Sequence, residues 1–359
     1  MALIEGDVVD VAALAHAAGH VPATTARLRV APEDFRVDED CPIALSGQGE
    51  HLWCHIEKTG LTTQDAVQAL SRAAGVHPRY IGFAGLKDRR AVTRQWISLA
   101  WPVNTPAPTL SGLCGIDVLA VARHDRKLKR GAHRGNRFEI TLREVAGDTD
   151  ALEHALARIG RTGVPNYFGG QRFGRDGRNI GLSRALFAGR RLSRNRRGFA
   201  LSAARSLLFN AVLDARVRDA SWDQLIEGEA VMLDGTHSVF SLAGTDQAAN
   251  TLDERLSRFD IHPSGPLPGR GGDDVVCAHA LKLEHSVLAE HDDLVQGLRQ
   301  CGVDAARRAL RLPVRELAWR WADASSLVVS FWLPPGAFAT SVLREIVQTE
   351  ETGDTATAE

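Results

Sequence analysis

The chain has 359 residues, 44% of them hydrophobic and 24% charged, with a formal net charge of −1. That length can bury a large core and suggests about two domains, and the composition excludes a disordered or fibrous chain. The balanced charge excludes a globally basic binder of nucleic acid, and no apolar run reaches the roughly 18 to 20 residues of a membrane span.

In chain order, residues 1–20 have no basic start and carry acids where a secretory signal needs apolar residues. "LRVAPEDFRVDED" alternates apolar residues on each side of a Pro-Glu-Asp turn and predicts strand, turn, strand. In "EHLWCHIEKTG", Leu52, Cys54 and Ile56 form one face of a strand. "LTTQDAVQALSRAAG" predicts a helix, with a capping box from Thr62 to Asp65, Val67, Leu70 and Ala74 on one face, and Gly75 as the stop. "GIDVLAVARH" and "NRFEITLREV" are strand-like, and "DALEHALARIG" is helical. The Gly- and Asn-rich "RTGVPNYFGGQRFGRDGRN" marks a domain boundary. "LSAARSLLFNAVLDARVRD" is an amphipathic helix, "HPSGPLPGRGGDD" reads as a long surface loop, and "SSLVVSFWLPPGAFATSVLREIV" reads as a buried strand, a turn and a short helix beginning near Ser341. Strands thus dominate before about residue 145 and return only after about 325, as in a sheet domain with a large helix-rich insertion.

Five scattered cysteines, never spaced as CxxC, argue for a reducing cytoplasm without a disulfide frame or zinc finger. Charge is segregated along the chain. Residues 123–137 hold seven Arg or Lys against one Asp, and residues 172–197 hold nine Arg against one Asp, while the tail from Glu345 is acidic. Arg outnumbers Lys by 38 to 5, which by itself suits a GC-rich coding bias and a solvated basic face. The clustering suits a phosphate backbone, which needs local positive charge.

Metal and nucleotide motifs fail on spacing. "GFAGLKD" has two residues between its glycines where a phosphate loop needs four, and Asp follows its Lys. His51 and His55 in "HLWCH" share a strand face but stand about 13 Å apart, too far for one metal. No cofactor and no metal is expected. In "GFAGLKDRRAVTRQ", Asp88 is the one carboxylate among Lys87, Arg89, Arg90 and Arg94, beside Gly82 and Gly85. As a turn or N-cap residue it would be unremarked. As a carboxylate kept ionised by surrounding cations, where glycines let a bulky ligand approach, it can serve as nucleophile or base on the sugar of a polyanion.

"FAGLKDRRAVTRQW", "RHDRKLKRGAHRGNRF", "GVPNYFGGQRFG", "LSAARSLLFN" and "FWLPPGAFATSVLRE" together resemble the TruD family of tRNA pseudouridine synthases, in the family's order and over nearly the whole chain. The resemblance implies a mixed α+β fold: a pseudouridine synthase core on a mixed, largely antiparallel sheet, split into residues 1–162 and 313–359 by a helix-rich α/β insertion at 163–312. It implies a cytoplasmic, cofactor-free isomerase that converts uridine to pseudouridine in tRNA at position 13 of the D stem. No membrane and no obligatory protein partner are implied, and the chain is expected to be a monomer.

Carried over by motif, the catalytic carboxylate is Asp88, acting either at C1′ or on the C2′ proton of the ribose. Phe35, Asn136, Phe138 and Phe338 fall at the substrate. Phe138 would wall the uracil, and the Asn136 amide offers a donor and an acceptor to a uracil edge. Arg29 stands where other members have a basic Lys. Lys87, Arg89, Lys127, Lys129, Arg130, Arg134, Arg172 and Arg175 are the expected phosphate contacts. The rival function is an RNA-binding or RNA-chaperone protein that has lost catalysis.

Overall fold

The structure is a computed structural model that describes residues 4–5, 8–174, 177–242 and 249–351. By its contacts the chain divides into two compact units. One comprises Ala23–Thr149, Val314–Gly336 and Val347–Glu359; the other comprises Met1–Pro22, Asp150–Pro313 and Ala337–Ile346.

The first unit is built on a ten-stranded mixed sheet. Its main path runs Arg315–Asp323, Ser326–Leu333, Gly135–Ala146, Phe35–Asp40, Val92–Ala100, His51–Thr59, Ile116–His124. Most neighbours are antiparallel; Phe35–Asp40 runs parallel to Val92–Ala100, and Gln348–Glu351 parallel to Thr25–Leu28. The late strand Ser326–Leu333 pairs along residues 136–142, so chain made after the middle segment completes the early sheet. Gly135 is required at that junction, because a Cβ there would sit 2.2 Å from the Trp332 ring.

The helix Thr63–Ala74 forms where its capping signals predict: Thr62 accepts from the Asp65 amide, Asp65 returns the bond to Thr62, and Gly75 closes the helix in the left-handed region. Its buried face of Ala66, Val67 and Leu70 packs on Leu52, Cys54, Ile56, Ile97 and Leu99 of the sheet. Burial of each large side chain there stabilises by about 1.5–3 kcal/mol, which fixes the helix N-terminus beside the chain at 84–91. The strand His51–Thr59 buries the whole of one face, Leu52, Cys54, Ile56 and Lys58, and on the other face buries Trp53 as fully.

The second unit holds helices Thr149–Thr162, Arg178–Phe187, Arg194–Arg218, Ala278–Ala289 and Asp292–Gln300. It departs from the chain-order reading, in which strands return only after about residue 325. A four-stranded antiparallel sheet lies among these helices, in the order Val239–Ser241, Ala230–Leu233, Ile261–Leu267, Ala306–Ala309. The stretch 262–267, expected as surface loop, is the buried strand of that sheet. Ser264 and Gly265 between the two prolines supply its central pairing with Ala309 and Arg308, so Pro263 and Pro266 do not break it. Exposure begins only at residues 270–272, beyond the end of the strand. The last helix begins at Ala339, two residues earlier than expected.

Candidate active site

The segment 84–91 has no regular secondary structure, yet almost every turn of it is tied down. The Gly131 amide donates to the Ala84 carbonyl at 2.9 Å, and the Gln95 side-chain amide to the Gly85 carbonyl at 3.2 Å. The Lys87 amide donates to Thr63 Oγ1 at 2.8 Å, and that hydroxyl donates to Gln95 Oε1 at 2.9 Å. Lys58, fully buried, donates from Nζ to the Asp88 carbonyl at 2.8 Å and to the Leu61 carbonyl. Burial pushes the Lys58 ammonium down to about 8, which leaves it charged at neutral pH beneath Asp88. Gly82 serves this packing rather than ligand approach: a Cβ there would lie 2.3 Å from the Leu128 carbonyl oxygen.

On this support the Asp88 side chain stands 59% exposed. Arg29 donates from Nη2 to Asp88 Oδ2 at 3.0 Å, and the same guanidinium lies 4.2 Å from the centre of the Phe35 ring. Arg29 thereby joins two expected site residues that are far apart in sequence. Arg29 itself has φ 58°, in the left-handed region that disfavours residues with a Cβ. Phe35 is buried and meets Phe138 edge to face at 6.2 Å; Phe138, half-buried, stacks on Phe331 at 5.4 Å. Strand register puts Phe35 opposite Ile140, Val37 opposite Phe138, and Glu39 opposite Asn136, so these side chains share one face of the sheet. Asp88, Arg29, Phe35, Phe138 and Asn136 are therefore brought together, whereas Phe338 belongs to the other unit, as N-cap of Ala339–Leu343.

One expected phosphate contact is corrected. Lys87 does not face solvent: it is buried and donates to Glu39 Oε2 at 2.7 Å, with Glu39 fully enclosed. Removing either partner of such a pair strands a buried charge and costs roughly 3–5 kcal/mol, so Lys87 holds the loop to the sheet. Sequence reasoning also missed Lys58, Glu39, Thr63 and Gln95. One signal was present: in a chain that uses 38 Arg and 5 Lys, two of those five Lys are buried at this loop, Lys87 within it and Lys58 on the strand beneath it, each a compact ammonium rather than a planar guanidinium.

A family model for tRNA pseudouridine synthase D (TruD) matches residues 15–182 and 182–346. The chain belongs to the TruD family. A tRNA pseudouridine synthase D of Methylococcus capsulatus is 48% identical over 331 residues, covering 91% of this chain and 92% of the relative. One of Nitrosococcus oceani is 45% identical over 344 residues, covering 93% of each. The crystal structure of a TruD protein of Methanosarcina mazei superposes with a TM-score of 0.74 at 22% identity, covering 91% of this chain and 94% of that one, a likeness of fold.

The basic residues of this TruD chain fall in both units. Lys129 and Arg130 are exposed, the latter over the Phe83 ring at 3.9 Å. Lys127 is half-buried and donates to the Arg79 carbonyl at 2.7 Å. Arg134 pairs with Asp40 and Arg89 with Asp65, both at 3.1 Å and both exposed. Arg172 lies in the other unit, half-buried, and Arg175 lies outside the described residues. No described helix is long and apolar enough to cross a membrane, and among the described residues no His/Cys/Asp/Glu group could hold a metal ion.

Proposed function

We propose that this TruD protein isomerises uridine to pseudouridine in tRNA, at position 13 of the D stem, with the Asp88 carboxylate and without a cofactor. The observation that carries the reading is the Asp88–Arg29–Phe35 arrangement: an exposed carboxylate held on a pinned loop, with its cationic partner stacked on an aromatic ring. A chaperone that had lost catalysis would have no use for a single anion fixed at the centre of a basic segment, and the close relatives are named as synthases.

In this mechanism the uridine leaves its stack, at a cost of a few kcal/mol that a distorted stem lowers. Exposed cations such as Lys129 and Arg130 hold the backbone, Asp88 acts at the ribose, and Arg29 keeps its carboxylate aimed. Phe138 presents a half-exposed ring against which the detached uracil can turn without escaping. Asn136 offers the amide that reads its edge.

The test is to map pseudouridine by carbodiimide treatment and primer extension, on tRNA from a strain that lacks the protein and from the same strain with it restored. The stop at position 13 should be absent from the first and present in the second. A stop that persists without the protein would overturn the reading.

A further inference from the structure

Residues 163–174, "GVPNYFGGQRFG", place two guanidinium groups on one aromatic ring. Phe168 is buried and fixed at both its backbone polar groups by Asn210, which accepts from the Phe168 amide and donates to its carbonyl, each at 2.9 Å. Arg308 stacks 4.2 Å from the centre of that ring and Arg172 stands 5.2 Å from it, so the two cations lie no further apart than the sum of those distances. Arg308 donates to Asn166 Oδ1, and the Asn166 amide nitrogen is committed to the Ala309 carbonyl at 2.8 Å, which fixes which way the Asn points. Arg172 donates to the Ser202 hydroxyl at 3.1 Å. These contacts orient the pair without neutralising it.

Neither guanidinium has a carboxylate partner among the described residues, and the Arg308 Nε is buried with no hydrogen-bond acceptor. Of the other enclosed arginines of this unit, Arg311 is stacked on Phe259 and donates to the Leu256 and Ile261 carbonyls, with no second guanidinium on its ring among the described residues, and two others are paired with carboxylates. Arg216 is paired with Glu229, and Arg307, next to Arg308 in sequence, is paired with Glu284. Burial, with the charge of Arg172 added, pushes Arg308 down to about 10, so it still carries its charge at neutral pH. Stacking on aromatic rings offsets part of the desolvation of a cation but does nothing for the repulsion between two. An anion between them would relieve that repulsion, and two planar donor forks suit the oxygens of a phosphate.

We infer that Arg172 and Arg308, stacked over Phe168, form a phosphate-binding site within residues 150–313, and that its ligand is a backbone phosphate of tRNA. The site itself stands on this geometry alone; only the choice of tRNA as the source of the phosphate rests on the function proposed above.

Two measurements on the full chain test it. In thermal unfolding, inorganic phosphate should raise the wild-type midpoint by several degrees beyond chloride at equal ionic strength, because the anion binds the folded state alone. Arg308→Met and Arg172→Met should each abolish that rise, and in phosphate-free buffer Arg308→Met should melt no lower than wild type, because an uncompensated charge is gone. A lower midpoint with an intact phosphate response would make Arg308 a structural residue and overturn the site. If Arg308→Met does not fold, Arg172→Met decides, since its side chain gives up one hydrogen bond to Ser202. In the second measurement, tRNA binding is measured against salt, and each variant should lose about one unit of slope. A phosphate response with an unchanged slope would assign the site to free phosphate and overturn the RNA ligand. Neither readout needs turnover, so failure of isomerase activity and failure of this site are separable.

Discussion

At Asp88 a carboxylate is held from two directions, by Arg29 on its oxygen and by Lys58 on its main-chain carbonyl. Arg29 reaches its position from a left-handed backbone, which costs about 1–2 kcal/mol for a residue with a Cβ. Strain of that size, kept where one guanidinium contacts both Asp88 and Phe35, marks a residue placed for its contacts. Asp88→Asn keeps the shape and one acceptor for Arg29. Because the Asp88 side chain is 59% exposed and Asn still accepts from Arg29, the change should cost no more than about 1 kcal/mol, or roughly 2–4 °C in the unfolding midpoint. Binding of tRNA should be retained, yet pseudouridine formation should fall below detection, because no neighbouring carboxylate can take over. Turnover within about tenfold of wild type by a well-folded variant would remove Asp88 from its role. Asp88 was legible in the sequence as a lone carboxylate among cations. Glu39 and Lys58 were not, because the partners that explain them lie 48 and 30 residues away and only the fold brings them together.

At the scale of elements, legibility depended on how local the causes are. The helix Thr63–Ala74 carries its own caps and stripe within fifteen residues and was readable from end to end. The strand Ile261–Leu267 was not, because Pro and Gly are the usual marks of a loop and only its partners at Ala230–Leu233 and Ala306–Ala309 make it a strand. The basic segment 123–137 was read as a phosphate-contacting run, and it is not uniform. Lys129 is free to meet a polyanion, Arg130 is stacked on Phe83, and Lys127 is engaged with a carbonyl. Replacing Lys127, Lys129 and Arg130 together by Ala should weaken tRNA binding and flatten its dependence on salt by roughly one unit of slope per lost contact. An unchanged slope would return the segment to an ordinary solvated face.

For the whole molecule, the rejoining of early and late strands into one sheet is the feature that the alternation of strand-rich and helix-rich segments foreshadowed. We propose that residues 163–312 are an insertion into a discontinuous core, and limited trypsin digestion tests this. Arg270 is the exposed basic residue just beyond the buried strand, so a first cut is expected there rather than at residues 262–267. The resulting fragments should co-elute under native conditions, since Ser326–Leu333 stays paired with residues 136–142 and Ala306–Ala309 with residues 264–267. Fragments that separate would argue against the discontinuous core. The same pairing sets a timetable for synthesis. When the ribosome has made Gly135–Ala146, one long edge of that strand has no neighbour, and it must wait while all of residues 150–313 are added, roughly ten to thirty seconds at ordinary elongation rates. For that interval a nascent chain carries Phe138 and Ile140 on an open strand edge, the kind of surface that recruits chaperones or pairs with the wrong chain.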